Sequence, residues 1–465
     1  MSKEKKKANW IEPETTVENE VLPKYFKWVW TSRGVSLGIN VILIMQLTYY
    51  CTDMLGMTPA LIGSLLLASK LFDGVTDLIV GFIIDKTNTR FGKARPYEVC
   101  IVLVWIFTIL LFSTPNLSMA GKAVFIFIMY TLINSVCATF LNGTDAVYLA
   151  RSVRSEKNRV SVMSFNGAIL MTFSIVMGMV LPQLIAGIGT TKIGWTIIAA
   201  GMGIPLAIIG MLRFVFVKEV AVAPHNNRDK NENDSLPFKK GLKCVFSNKY
   251  IWILAMLVFI ANLITNIGTA VQTYYFKYII GNIGMATFIG MASFVTPIML
   301  AVFPMLAKKF GTGKLIKMGA VLGIAGYGIR TIGGSNFITL MIGSVMGTIA
   351  TLPITMMISI YLIDVMDYGE WKTGTRVEGM LGSVTAFMSK LGSGIASGLV
   401  GIIMGLAGYN GSLAVQSATA NTAIIALFNI VPLILMVFML IFGVMYNLEK
   451  RLPQIKSDLA ERHCN

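Results

Sequence analysis

The sequence predicts an all-α membrane protein: twelve transmembrane helices arranged as two pseudo-symmetric six-helix bundles. Three observations carry that expectation. Hydrophobic residues make up 55% of the 465 and charged residues only 13%, against roughly a quarter charged in soluble domains. The apolar residues gather in runs of about 20, the length at which a helix spans a bilayer. A polar stretch, Lys218 to Lys249 with HNNRDKNENDS at its centre, parts these runs six and six. The 44 glycines suit helices that pack closely in a membrane.

The chain opens on a lysine-rich tail, residues 1–28, whose start MSKEKKK lacks the apolar centre of a secretory signal. The first apolar run, Val29 to Cys51, opens an N-terminal bundle over 29–217, with further helices near 58–84, 97–114, 122–149, 160–187 and 193–216. After the central loop, 218–249, a C-terminal bundle over 250–446 holds helices near 250–277, 285–307, 314–332, 336–363, 377–408 and 421–446, and a polar tail, 447–465, follows. Loop charge alternates along this series. DKTNTRFGKAR, RSVRSEKNR, the central loop, KKFGTGKLIK, EWKTGTR and EKRLPQIK are basic, whereas the connections between them hold few lysines or arginines. The positive-inside rule then expects both termini in the cytoplasm of a cell membrane, a bacterial plasma membrane.

The net charge of +16 resides in those loops, so it sets topology and makes no nucleic-acid face. The five cysteines have no metal-ligand spacing and read as reduced apolar residues. His225 and His463 lie in polar segments, and the chain carries neither a P-loop nor a dinucleotide fingerprint. An enzyme, a resident cofactor and a nucleotide-driven pump are therefore not expected. A membrane carrier, working as a monomer among lipids on a small-molecule substrate, is.

The most informative stretch is LLASKLFDGVTDLIVGFIIDKTNTRFGKARPY, Leu66 to Tyr97. Its helix carries Lys70, Asp73 and Asp77 within an apolar run, at spacings of three and four that share one helix face. A carboxylate in hydrocarbon costs about 2.5–3.5 kcal/mol even on the lenient insertion scale, and two like charges repel unless a proton or cation sits between them. The economical reading is a site for a travelling cation. The alternative is a structural ion pair, with Lys70 neutralising one aspartate and the other protonated. Lys390, among small residues in FMSKLGSGIASG, either balances the aspartates or snorkels to the nearer interface.

Other polar residues in apolar runs are candidates for a cavity wall: Gln46 and Tyr50, Asn134 and Asp145, Asn166, and the stripe Asn262, Thr265, Asn266, Thr269, Gln272 at helical spacing. They either line a ligand cavity or bond between helices. Asp145, with Arg151, Arg154 and Arg159 just beyond, reads as part of a cytoplasmic gate. So do Asp85, Lys86, Arg90, Lys93 and Arg95 in the loop after the second helix, set against Asp364, Asp367, Glu370, Arg376 and Glu378 around the tenth and eleventh. An internal echo supports a duplicated half: TRFGK at 89–93 and KKFGTGK at 308–314 each follow the second helix of a bundle.

At this point the residues resemble a known family. GFIIDKTNTRFGKARP is similar to the loop motif of major facilitator transporters. The longer KLFDGVTDLIVGFIIDKTNTRFGKARP, YYCTDMLG at 49–56 and DYGEWKTGTRVEG at 367–379 resemble the glycoside–pentoside–hexuronide:cation symporters over nearly the whole chain. The resemblance implies the major facilitator fold and symport of a sugar or glycoside with Na+ or H+. It implies a cation site of Asp73, Thr76, Asp77 and Thr139, in which Asp73 and Asp77 ligate the metal if the ion is Na+, with Lys70 and Lys390 balancing charge. Two acids that hold sugar in the family are missing. Asn142 stands for the one on the fourth helix, and Asn40 or Arg33 is the counterpart on the first, with Arg33 or Arg330 suited to an acidic sugar. The expected substrate set is thus Asn142, Asn40, Gln46, Tyr50, Asn262, Asn266 and Gln272. A same-fold carrier of another solute, such as a lysolipid, and a non-transporting sensor are the alternatives.

Overall fold

In the computed structural model the described residues, 20–219 and 245–464 apart from 88, 90, 154 and 375–377, are almost wholly helical. In the N-terminal half α1 is Phe26–Met54, α2 Pro59–Lys86 and α3 Cys100–Leu111; α4 is built from Met119–Thr131, a π-helical turn Leu132–Ala138 and Thr139–Ser152; α5 is Glu156–Gly187 and α6 Lys192–Phe216. The C-terminal half repeats the count. It comprises α7 Lys249–Tyr278, α8 Ala286–Met291 continued by Val295–Phe310, α9 Thr312–Gly333, α10 Phe337–Thr373, α11 Glu378–Leu406 and α12 Ala418–Ile425 continued by Val431–Met445.

Nine of these, among the described residues, are long and apolar enough to cross a membrane. Of the others, α3 has only 12 residues behind a 3-10 turn at Arg95–Val99.

The buried apolar residues show where the halves meet. One cluster joins both bundles at the end away from the termini: Ile62, Leu66, Ile185 and Trp195 pack in the same core as Val271, Tyr274, Val400 and Met404. Toward the end that bears the termini the core divides. Trp30, Tyr148 and Val217 form one cluster wholly within the N-terminal half, and Leu254, Ile316, Tyr361 and Met439 belong to another wholly within the C-terminal half. The bundles are closed at the far end and separate at the terminal end. Close approach at the far end depends on glycine. A Cβ on Gly63 of α2 would stand 3.0 Å from the Gly401 Cα of α11, which only small residues allow.

The internal echo corresponds to a repeated device. Gly92 and Gly311 both have positive φ, +117° and +82°. A Cβ on either would overlap a carboxylate: Glu219, just after α6, or Glu449, just after α12. The Glu219 carboxylate accepts from the backbone N–H groups of Lys93, Ala94 and Arg95 at 2.7–2.9 Å, and Glu449 accepts from Gly313 N–H at 2.9 Å. Each half thus ties the turn after its second helix to the residue after its sixth. Gly311→Ala is expected to lower stability by about 1–3 kcal/mol, seen as a lower unfolding temperature in detergent. Gly201→Ala, with open space around it, is the control and leaves that temperature unchanged or raised.

Three expected boundaries need correction. α1 begins at Phe26, ahead of Val29. The loop expected at 367–379 is helical through Thr373 and ends at Gly374 with φ +70°, so Asp367 and Glu370 stand on α10. The tail expected after 446 contains a helix, α13, Leu452–Cys464. Its apolar residues recur at helical spacing, and Ile455 and Leu459 are buried against the C-terminal half. Trp371 Nε1 donates to Asp458 at 2.7 Å. A helix that lies on a protein surface needs only one apolar stripe, so its overall polarity concealed it.

Candidate functional site

The site starts on α2. Asp73 is buried, and Lys70 Nζ, one turn earlier, lies 3.1 Å from its Oδ2. Its other oxygen, Oδ1, accepts from the hydroxyl of Ser135 on α4. Ser135 belongs to the π-helical turn Leu132–Ala138, a distortion that inserts an extra residue per turn and is frequent at functional sites. One helical turn toward the far end, Ser69 and Thr131 pair at 3.0 Å. The two helices therefore run in the same direction and in step, 69 beside 131 and 73 beside 135. The side chains of Asp77 and Asp85 lie outside the described residues, as do Arg90 and Arg376 altogether.

Beside this seam opens a cavity of about 450 Å³. Its polar wall is Lys70, Asp73, Asn134, Thr139 and Asn142 from the N-terminal half and Lys390 from α11. A second cavity, about 440 Å³, lies within the C-terminal half and presents Asn262, Thr355, Thr385 and Ser389. Ser389 and Lys390 are neighbours, so α11 borders both. Thr139 donates to Asn134 O at 3.2 Å. Thr76 turns back onto its own helix and donates to Asp73 O at 3.0 Å. Of the expected cation residues whose side chains are described, Asp73 and Thr139 line the cavity.

Several expected substrate residues do not. Asn40 is buried between α1 and α3 and donates to Thr108 Oγ1 at 2.8 Å. Tyr50 donates to Phe112 O at 3.1 Å and packs against Trp195. Gln46 accepts from Thr273 at 2.6 Å, a bond between the two halves. Asn266 donates to Asn262 O in its own helix, and Gln272 reaches Ala286 O at 3.3 Å. The physical reason is common to all: a polar group in an apolar bundle bonds the nearest partner, and sequence spacing does not say whether that partner is a ligand.

The basic residues considered for an acidic sugar are also bound elsewhere. Arg33 pairs with Asp145 and lies 3.8 Å from Glu98. Arg213 of α6 completes the cluster, 2.7 Å from Asp145 and 3.5 Å from Glu98, with its guanidinium 3.5 Å from the centre of the Trp30 ring. Asp145, expected as part of a cytoplasmic gate, ties α1, α4 and α6 together inside one half. Arg330 donates to Phe428 O at 3.1 Å and stacks on its ring. Of the expected gate residues, Arg95 donates to Phe214 O at 2.9 Å and Arg159 to Val153 O at 2.6 Å, both within the N-terminal half. The Lys93 backbone is held by Glu219.

Two residues escaped the sequence reading. Ser135 had no signal, because a serine in a membrane helix is ordinary. Asp53 had one: it is an acid inside the first span. Its carboxylate accepts from Lys277, from Tyr278 at 2.7 Å and from Tyr409 at 2.6 Å, all in the C-terminal half.

Two six-helix halves, closed on each other at one end and parted at the other around a charged cavity, define a membrane transporter that works by alternating exposure of a central site. The comparisons agree. The family model described as MFS/sugar transport protein matches residues 36–450, and the chain belongs to that family. It is similar to the isoprimeverose transporter of Lactiplantibacillus pentosus, 28% identical over 97% of this chain and 95% of that one. It is likewise similar to the putative glycoside/cation symporter YagG of Escherichia coli strain K12, 26% identical over 90% of each. Among solved structures it shares the fold of a D-xylose-proton symporter, with a TM-score of 0.63 at 15% identity, covering 90% of this chain and 97% of the other. The chain is a multi-pass transporter and not an enzyme.

Proposed function

We propose that this protein is a secondary transporter of a bacterial plasma membrane that couples the inward flow of Na+ or H+ to uptake of a sugar or glycoside. The observation that carries the proposal is Asp73, a carboxylate in the wall of a cavity at the core of a membrane protein, held by a lysine and a hydroxyl. The names of the similar proteins, an isoprimeverose transporter and a putative glycoside/cation symporter, support both cargo and coupling. The basic loops support cytoplasmic termini, and the open end of the cavity then faces the cytoplasm.

In this mechanism the cation competes with Lys70 for Asp73. An entering Na+ would find oxygen ligands in the carboxylate and the neighbouring hydroxyls, the donor set that a hard cation takes, with Asp77 as the second acid; a proton needs the carboxylate alone. Freed from Asp73, the Lys70 ammonium becomes available to the cavity. Asn142, which both donates and accepts, is placed to bind a sugar hydroxyl. Binding of cation and sugar strengthens each other by the same factor, and rocking of the empty or doubly loaded carrier converts that linkage into uptake.

The test is counterflow in proteoliposomes with a panel of pentosides, hexosides, disaccharides and uronic acids, with and without Na+ at fixed pH and across a pH gradient. Uronic acids belong in the panel because Lys70 and Lys390 both border the cavity. Expected is exchange of at least one sugar, stimulated by one of the two ions. Exchange of no sugar overturns the assignment of cargo, and sugar exchange indifferent to both ions overturns the coupling.

A further inference from the structure

At the far end of the molecule one buried carboxylate pairs with the opposite half. The Asp53 side chain is fully buried at the π-helical end of α1, Tyr50–Met54. Its neighbour Thr52 lies 2.9 Å away, but its other partners all come from the opposite half. Lys277 and Tyr278, at the end of α7, converge on Oδ1, and Tyr409, just beyond α11, donates to Oδ2. Hydrogen bonds to a charged acceptor are about twice as strong as neutral ones, and three of them cross between bundles here. Neutral contacts add to the seam: Thr52 with Tyr274 at 2.9 Å, and the Tyr49 ring set edge-on to Tyr274. At the terminal end the ion pairs among the described residues join residues of a single half: Arg33 and Arg213 with Asp145, Arg151 with Glu219, Lys456 with Asp364. The charge pairing between halves at the far end has no equivalent among them.

We infer that Asp53 is a charge latch: paired with Lys277, Tyr278 and Tyr409 it keeps the far end shut, and its neutralisation shifts the carrier toward the state open at that end. Rocking of the halves separates Asp53 from all three donors at once, so this single group sets much of the balance between the two states. Asparagine at 53 keeps the size but turns an acceptor-only group into one with an NH2 facing three donors. That loss falls on the closed form alone, because in the open form water solvates either side chain.

The experiment reads the two ends directly and needs no solute, so it stands whether or not the proposed cargo is right. Spin labels at Leu117 and Leu413, exposed on far-end connections of the two halves, give one distance by pulsed electron resonance in nanodiscs. Labels at Lys157 and Lys314, exposed at the terminal end, give the other. Asp53→Asn is expected to lengthen the first distance and shorten the second, raising the ratio of far-end-open to far-end-closed molecules by about tenfold or more. The exchange Asp53→Lys with Lys277→Asp is expected to restore the original distribution. If Asp53→Asn does not fold, Tyr278→Phe with Tyr409→Phe removes two of the bonds without touching charge and is expected to give a smaller shift of the same sign. Distributions unchanged in whichever of these variants folds overturn the latch, as does a shift that the charge exchange leaves uncorrected.

Discussion

Asp73→Asn is expected to leave a folded carrier that still exchanges sugar down its gradient but no longer accumulates it. Asparagine fits the same space and can still accept from Ser135, so the packing of α2 against α4 survives. What disappears is the negative charge for which Lys70 and the coupling ion compete. Linkage between two ligands is typically worth about 5–150-fold in affinity, and in the variant the ratio of sugar affinity with and without the ion is expected to fall to about 1. Calorimetry with and without the ion, set beside counterflow and gradient-driven uptake, measures it. The double variant Lys70→Met with Asp73→Asn separates the two accounts of this pair. If Asp73 merely neutralised Lys70, removing both would restore coupled uptake. If Asp73 carries the ion, the double variant stays uncoupled, because no second group supplies the lost charge at that position.

The largest effect on stability is expected from Arg213→Met. Glu98 is fully buried, Asp145 is its neighbour in the same cluster, and Arg213 contacts both. Removing one member of a buried charge set leaves the rest uncompensated, at a cost of about 3–5 kcal/mol; here Arg33 would be left to serve two carboxylates. The guanidinium also stacks on Trp30 and Tyr148, so part of the loss comes from packing that methionine only partly replaces. Thermal unfolding in detergent is expected to move sharply downward. Adding Glu98→Gln to Arg213→Met is expected to recover much of the loss, because the remaining Arg33 and Asp145 then balance. An unchanged unfolding temperature in the single variant would show that the cluster is hydrated and contributes little.

The same reasoning explains which residues were legible. Lys70, Asp73 and Asp77 announce themselves because three charges in an apolar run are costly wherever they point. The glycines of the two echoing loops were visible as a repeat, although their function, admitting a carboxylate from more than a hundred residues away, was not. Asn40 and Ser135 had their prospects reversed. Asn40, conspicuous in an apolar helix, bonds a threonine on α3, while Ser135, inconspicuous, holds the central carboxylate because a π-helical turn and the α2–α4 register bring it there. Asp53 was quoted as part of a motif, but its partners lie 224 to 356 residues further along the chain, beyond the reach of any local pattern.

From the amino-acid order alone follow the membrane, the two sets of helices, the expected sidedness and the acidic stretch on the second helix. These depend on transfer free energies that belong to each residue and its near neighbours, which a linear reading can sum. Which polar groups face the cavity, which pair off inside a bundle and which end is shut were decided only by the tertiary structure. Helices apolar on every side carry no stripe to tell lipid from protein, so the direction of each polar side chain is settled by the partner that packing delivers to it.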